Sequence, residues 1–353
     1  MKYLTAMTAF NMDAFLLQKR RRTLLIGEGF EARCTSWVAR LPQIPLFIKS
    51  VVFKNMPVRE SRLDELLEEI KPRTTGEIIV LDYERYNPVT TEFAIEALWK
   101  EISQSSQEIV IDLSVMSKLL IMMILYAGRE FHGAVRCIYS EPQEFSPSRE
   151  EYEKSKLGMS FALPLPTFGV HDVVRTAMLS SSVMQSSPAV VVAFTSFNEQ
   201  LVRALLSSVS PNHLFLVSSV PPHLCWREKA TQDIHEDVLR EYQEDNPKDE
   251  KGHLINRVST LHHGETFDLL ADIYKRYCYT HRIILSPTGS KMQAVACGLF
   301  KICCPEVNVE YPTPESIFIQ GFSSDKIREI HEFSMEGFVD NLKALAENEG
   351  LNG

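Results

Sequence analysis

Two short loops in this 353-residue chain carry the residue types that proteins use to hold an anion. Asp112-Leu-Ser-Val-Met-Ser-Lys118 and Leu285-Ser-Pro-Thr-Gly-Ser-Lys291 each place a serine and a lysine directly before an apolar, helix-like run. In the second loop Thr288 and Ser290 offer hydroxyls and Gly289 permits close backbone approach. A helix starting near Lys291 would present its first N–H groups beside the ammonium, a combination that suits a phosphate. The same residues also make an ordinary Ser/Thr N-cap followed by a solvated lysine. Capping alone does not call for lysine at the same place twice. The loop is not a Walker A loop, which needs a further glycine four residues before its Gly-Lys. In the first copy Asp112, Ser114, Ser117 and Lys118 could do similar work. There, however, Met116 replaces the glycine and puts close backbone approach in doubt, so a ligand is expected nearer to Lys291 than to Lys118.

Other residues add weaker signals. Gly29-Phe-Glu31-Ala-Arg33 could contribute an acid and a base to the same cleft, or form a tight turn with Glu31 and Arg33 paired at a helix start. If a reaction is catalysed, Glu31 or Asp112 would act as general base with Lys291 on phosphate. His262-His263-Gly-Glu265, with Asp268 nearby, invites a metal, but adjacent histidines diverge and no third ligand is specified, so no metal site is assigned. His171-Asp172 reads as a surface pair. No Gly-x-Ser-x-Gly elbow or His-Glu-x-x-His occurs, and Gly27-Glu-Gly29 is followed by Ala32 rather than the third glycine of a dinucleotide loop. No cofactor is identified beyond a nucleotide-type ligand.

These loops need elements to position them, and the elements come twice. Phe30 and Phe197, Lys118 and Lys291, and Tyr139 and Tyr311 stand 167, 173 and 172 positions apart, in the same order. Each tyrosine opens a Tyr-x-x-Pro. Self-similarity of this kind marks a tandem repeat. In the first half, strands are expected at 23–26, 50–54, 77–82, 108–113 and 134–139, with helices at 61–71, 90–102 and 118–131 between them. The second half reads the same way, with strands at 189–194, 214–218, 254–260, 282–286 and 307–311 and helices at 198–208, 228–244, 266–278 and 291–303. Strands separated by helices imply a parallel sheet with right-handed crossovers. The fold class is therefore α/β, two tandem Rossmann-like domains, each a mainly parallel sheet flanked by helices. The expected division is an N-terminal arm (1–22), a first domain (23–145), a connecting segment (146–188), a second domain (189–316) and C-terminal closing helices (317–353). Within these, 245–252 reads as an exposed loop, 318–322 as a short strand, and Phe161, Leu163, Phe168 and Met178 as apolar residues that need burial.

Composition limits the function classes. With 44% apolar and 24% charged residues the chain is an ordinary globular protein, and no apolar run approaches the ~18 residues of a membrane span. Lys19-Arg-Arg-Arg22 follows the mildly apolar N-terminus rather than preceding it, the wrong order for a secretory signal, and is expected to be a solvated turn. The seven cysteines show no paired framework, which points to a reducing cytoplasm. A net charge of −9 argues against an extended nucleic-acid duplex as partner, because affinity there comes mainly from cations on phosphates. A small anion in a local basic pocket remains open, as does an oligomer.

The Thr288-Gly-Ser-Lys291-Met run, ending a strand and opening an apolar helix, resembles the Thr-Gly-Thr-Lys type motif of CRISPR-associated Rossmann-fold (CARF) domains and of the related SAVED domains, which look like two such domains fused. The resemblance implies a pocket for a cyclic oligonucleotide or other nucleotide-type ligand, lined by Thr288, Gly289, Ser290 and Lys291, with Ser117, Lys118, Glu31 and Arg33 from the first copy. Such sensors are usually joined to an effector. Here the repeat uses both halves, so a separate effector protein is expected. Two alternatives stay open: a nucleotide- or nucleoside-processing enzyme, and a purely structural scaffold subunit of a defence complex.

Overall fold

Apolar residues fill the central strands of both halves so completely that each strand must be covered on two faces. Arg22–Gly27 and Ala189–Phe194 are buried from end to end, the pattern of a parallel sheet between helix layers. The computed structural model describes residues 4–57, 60–156, 163–317 and 325–351. It divides the chain into two compact units, one of residues 1–145 and 319–344, the other of 146–318 and 345–353.

The first unit is built on five parallel strands, in chain order Arg22–Gly27, Lys49–Met56, Ile78–Glu84, Glu108–Asp112 and Ala134–Pro142. Across the sheet they run third, second, first, fourth, fifth. The second unit repeats that order with Ala189–Phe194, His213–Val220, Arg257–Ser259, Arg282–Ser286 and Asn308–Val309. Two mainly parallel sheets flanked by helices, with one strand order, make this a tandem Rossmann-like protein. In each, strand order reverses between the first and fourth strands, the place where such sheets bind ligands. The helix after each fourth strand, Lys118–Ala127 and Lys291–Cys303, is apolar around its circumference and almost wholly buried, as a helix enclosed on all sides must be.

Several expectations need correction. The C-terminal segment is not all helix: Ile327–Met335 is a strand that joins the first sheet antiparallel to Ala134–Pro142, with His331 opposite Tyr139, and among its described residues only Phe338–Asn348 is helical. The 318–322 strand expectation lies outside the described residues, as does Phe161. Nor is the N-terminal arm separate. Thr8–Ala9 pairs with the Ile327–Met335 strand, and Phe15, on the Met12–Leu17 helix, packs in the first unit's core with Trp37 and Phe47. The basic cluster does not form a solvated turn at Arg22, which is buried within the first strand. The expected 228–244 helix is two, Trp226–Ile234 and Glu236–Glu241, broken at His235. Residues 245–252 are not simply exposed: buried Asn246 accepts from Leu216 N at 2.8 Å and donates to Leu214 O at 2.7 Å, pairing with the second strand as a neighbouring backbone would. In the connecting segment Met178 is buried and Leu163 half-buried, but Phe168 is 60% exposed.

Candidate functional site

At the carboxyl ends of the second sheet, local hydrogen bonding decides what the Thr-Gly-Ser-Lys loop does. The Thr288 hydroxyl accepts from Phe194 N at 2.9 Å and donates to Phe194 O at 2.6 Å, so it ties the loop to the end of the first strand. Ser290 is the N-cap of the Lys291–Cys303 helix: its Oγ accepts from Gln293 N at 3.2 Å while Ser290 N donates to Gln293 Oε1 at 2.6 Å, a complete capping box. Gln293 Nε2 continues to Ser219 Oγ at 3.1 Å, Ser219 N donates to Thr195 Oγ1 at 3.0 Å, and Thr231 Oγ1 reaches Thr195 Oγ1 at 3.2 Å. The Thr288 and Ser290 hydroxyls are thus engaged within the protein. Lys291, half-buried on the helix's first turn, completes the loop.

Gly289 is required by packing. A Cβ there would overlap Gln293 Oε1 and stand 2.8 Å from Phe194 Cβ. In the first unit the sizes are exchanged. Counted from the strand end, Phe194 corresponds to Gly27; counted from the capping serine, Gly289 corresponds to Met116. A Cβ at Gly27 would stand 2.9 Å from Met116 Cγ. Each unit therefore pairs one large and one minimal side chain at the same contact, on opposite sides. The first loop lost its glycine without losing the geometry. Gly289→Met should cost about 3 kcal/mol through overpacking and loss of the capping box. In a Phe194→Gly/Gly289→Met double-mutant cycle read by urea denaturation, a compensating coupling of about 1 kcal/mol or more is expected. Strictly additive costs would sink the exchange.

In the first unit Ser117 caps the Lys118–Ala127 helix, accepting from Leu120 N at 3.1 Å and donating to the hydroxyl of buried Tyr83 at 2.8 Å. Lys118 is half-buried beside it. Asp112 is buried and accepts from Ser114 N at 2.9 Å, and the Ser114 hydroxyl accepts from Ser140 N at 2.9 Å, so this acid organises the loop. Glu31 and Arg33 form a buried two-point ion pair, Nε to Oε2 at 2.7 Å and Nη2 to Oε1 at 2.8 Å. Burial pulls the Arg33 guanidinium's pKa down, but the Glu31 carboxylate and the Tyr139 hydroxyl outweigh it and raise it overall. The loops after the first and fourth strands do meet: a Cβ on Gly29 would stand 3.0 Å from Val115 Cβ. Arg33, by contrast, faces the fifth strand, donating to Ser140 O at 3.5 Å.

Elsewhere, His263 is buried at the start of the His263–Tyr277 helix, and Glu265 accepts from Ser259 N at 2.7 Å. Among the described residues no three metal-binding side chains come together, and no helix is long and apolar enough to cross a membrane. His171 and Asp172 are exposed. Two residues that sequence reasoning passed over stand at these strand ends. His235 is fully buried at the helix break, its Nε2 at 3.0 Å from Ser196 O, and burial lowers its pKa to about 4. Arg85 follows the third strand of the first unit and stacks on Tyr86, Cζ 4.7 Å from the ring centroid. Nothing in a single sequence marks either one.

No family model matches the chain, and no curated protein matches it. Among solved structures it is similar to one described as an S. aureus MnaA–UDP co-structure, with 11% identity, a TM-score of 0.24, and coverage of 95% of this chain and 88% of that one. The fold class stands on the strand order.

Proposed function

We propose that the protein is a sensor or adaptor subunit of the CARF/SAVED kind in prokaryotic antiviral defence, which binds a nucleotide-type or phosphorylated ligand and acts through a separate effector protein. The observation that carries this reading is the duplication at the switch point: in each unit a serine-capped, lysine-led, buried helix follows the fourth strand, beside the first. Binding is favoured over nucleotide or nucleoside processing because Glu31 is held at two points by Arg33 and Asp112 by its own loop. Neither acid is presented as a base. A scaffold role is the second reading, and the internal use of the Thr288 and Ser290 hydroxyls favours it.

Thermal-shift screening against cyclic oligonucleotides and common nucleotides separates these. A binder should gain about 5 to 10 °C at a hundredfold excess over Kd, and Lys118→Ala or Lys291→Ala should reduce that gain. No response to any nucleotide would leave the scaffold reading. Turnover of a ligand, lost in Glu31→Gln or Asp112→Asn, would establish the enzyme instead.

A further inference from the structure

The first unit answers its fully buried arginines. Arg22 meets Glu108 at 2.6 Å, Arg33 meets Glu31, Arg136 meets Glu108 at 2.8 Å, and Arg73 donates to Leu41 O at 3.1 Å and to Glu69 at 3.0 Å. Arg85 differs. Its Nε and Nη2 are buried, and among the described residues no acceptor reaches them. Those two nitrogens form one edge of the guanidinium, the fork that takes two oxygens of a phosphate or carboxylate side by side. Buried charged donors without acceptors are costly, and the fold avoids that cost at the four buried arginines of this unit; Arg85 is half-buried as a residue, with this donor edge enclosed.

The position is equally specific. Arg85 directly follows the Ile78–Glu84 strand, at the carboxyl end of the sheet. The Tyr86 ring lies against the guanidinium, with Cζ 4.7 Å from its centroid. Tyr83 stands two positions earlier, on that strand, and its side chain is buried. Tyr83 in turn bonds Ser117, the cap of the helix that Lys118 begins. The guanidinium, the capped helix start and the lysine thus share one corner of the first sheet.

We propose that this corner is a phosphate site, in which Arg85 takes two oxygens through Nε and Nη2 while Lys118 and the start of the Lys118–Ala127 helix supply further positive field. The proposal deepens the nucleotide-type reading above, on which the identity of the larger ligand rests, and moves the phosphate contact to the first unit, against the sequence expectation of Lys291.

The test uses the full chain, with inorganic pyrophosphate and malonate as probes at about 10 mM and matched ionic strength. Pyrophosphate should raise the wild-type Tm by about 3 °C or more, with a smaller effect from malonate. Arg85→Gln and Arg85→Met should lose that rise, Lys118→Ala should reduce it, and Lys291→Ala should keep it. Arg85→Met should also melt about 2 to 4 °C above wild type without pyrophosphate, because a buried donor edge with no acceptor has been removed. An arginine needed for folding would shift Tm the other way, which would overturn the assignment. So would a wild type that ignores pyrophosphate, a response that survives in Arg85→Gln, or an equal response to malonate. A pyrophosphate response abolished by Arg85→Gln, with no nucleotide binding in the wider screen, would keep this site and reject the sensor reading. Nucleotide binding indifferent to Arg85→Gln would do the reverse.

Discussion

Glu108→Gln is expected to destabilise the first unit by about 3 to 5 kcal/mol, a large part of an ordinary domain's stability. Glu108 is completely buried at the start of the fourth strand, and its two oxygens hold two arginines on flanking strands: Arg22 Nε at 2.6 Å and Arg136 Nε at 2.8 Å. Arg136 goes on to Glu332 of the added antiparallel strand, and Glu332 accepts from Asn11 N at 3.0 Å. Arg22 also donates to Phe15 O at 2.7 Å and lies over the Phe15 ring. The chain of charges crosses four adjacent strands and anchors the N-terminal helix. An amide at 108 leaves two buried guanidinium groups without their shared counter-charge, and the cost is mostly that of the stranded cations. Replacing the set together, as Arg22→Met/Glu108→Leu/Arg136→Met, should therefore be milder than Glu108→Gln alone. Urea denaturation followed by Trp37 and Trp99 fluorescence measures both. A loss below about 1 kcal/mol for Glu108→Gln would show that the ladder is not anchoring the unit.

The second unit should lose stability steeply on mild acidification. Burial lowers the pKa of His235 to about 4; burial, helped by the charge of His262, does the same for His263. An unfolded histidine titrates near 6.5, so as pH falls below that value the unfolded chain takes up protons that the folded unit refuses. The stability these neutral side chains contribute is complete above about pH 6.5, declines as pH drops, and is gone below about pH 4. By pH 5 the loss is about 2 kcal/mol per histidine. Urea denaturation at pH 7.5 and pH 5, followed at Trp226, should show it. His235→Gln should shrink the difference between the two pH values by about 2 kcal/mol whatever it does to stability at pH 7.5. An unchanged difference would mean that His235 accepts its proton in the folded state.

How far the sequence could be read depended on the range of the interaction. Ala189–Phe194, Arg282–Ser286 and Lys291–Cys303 are visible in the local pattern to the residue, because continuous apolar runs and serine capping act within a few positions. Ile327–Met335 misled for the same reason. Ile327, Ile330 and Phe333 recur at helical spacing, while Glu332 and His331 look like a wet face. Their polar groups are instead answered across the sheet, Glu332 by Arg136 and His331 by Glu141 at 2.9 Å. A strand that buries its polar side chains against partners nearly 200 positions away has no local signature.

The candidate site divides along the same line. The residues alone determined that one βα pattern is used twice and that a serine–lysine pair opens the same helix in each copy, since both are properties of short segments. Only the tertiary structure decided what those pairs are worth. Thr288 spends its hydroxyl on Phe194, 94 positions earlier, and Gly27 makes room for Met116 as Gly289 does for Phe194. The donor edge of Arg85, which no motif announces, is left without a protein acceptor. Hydrogen-bond saturation and close packing are set by whatever the fold brings alongside a residue, and in a crossover sheet most of that comes from far along the chain.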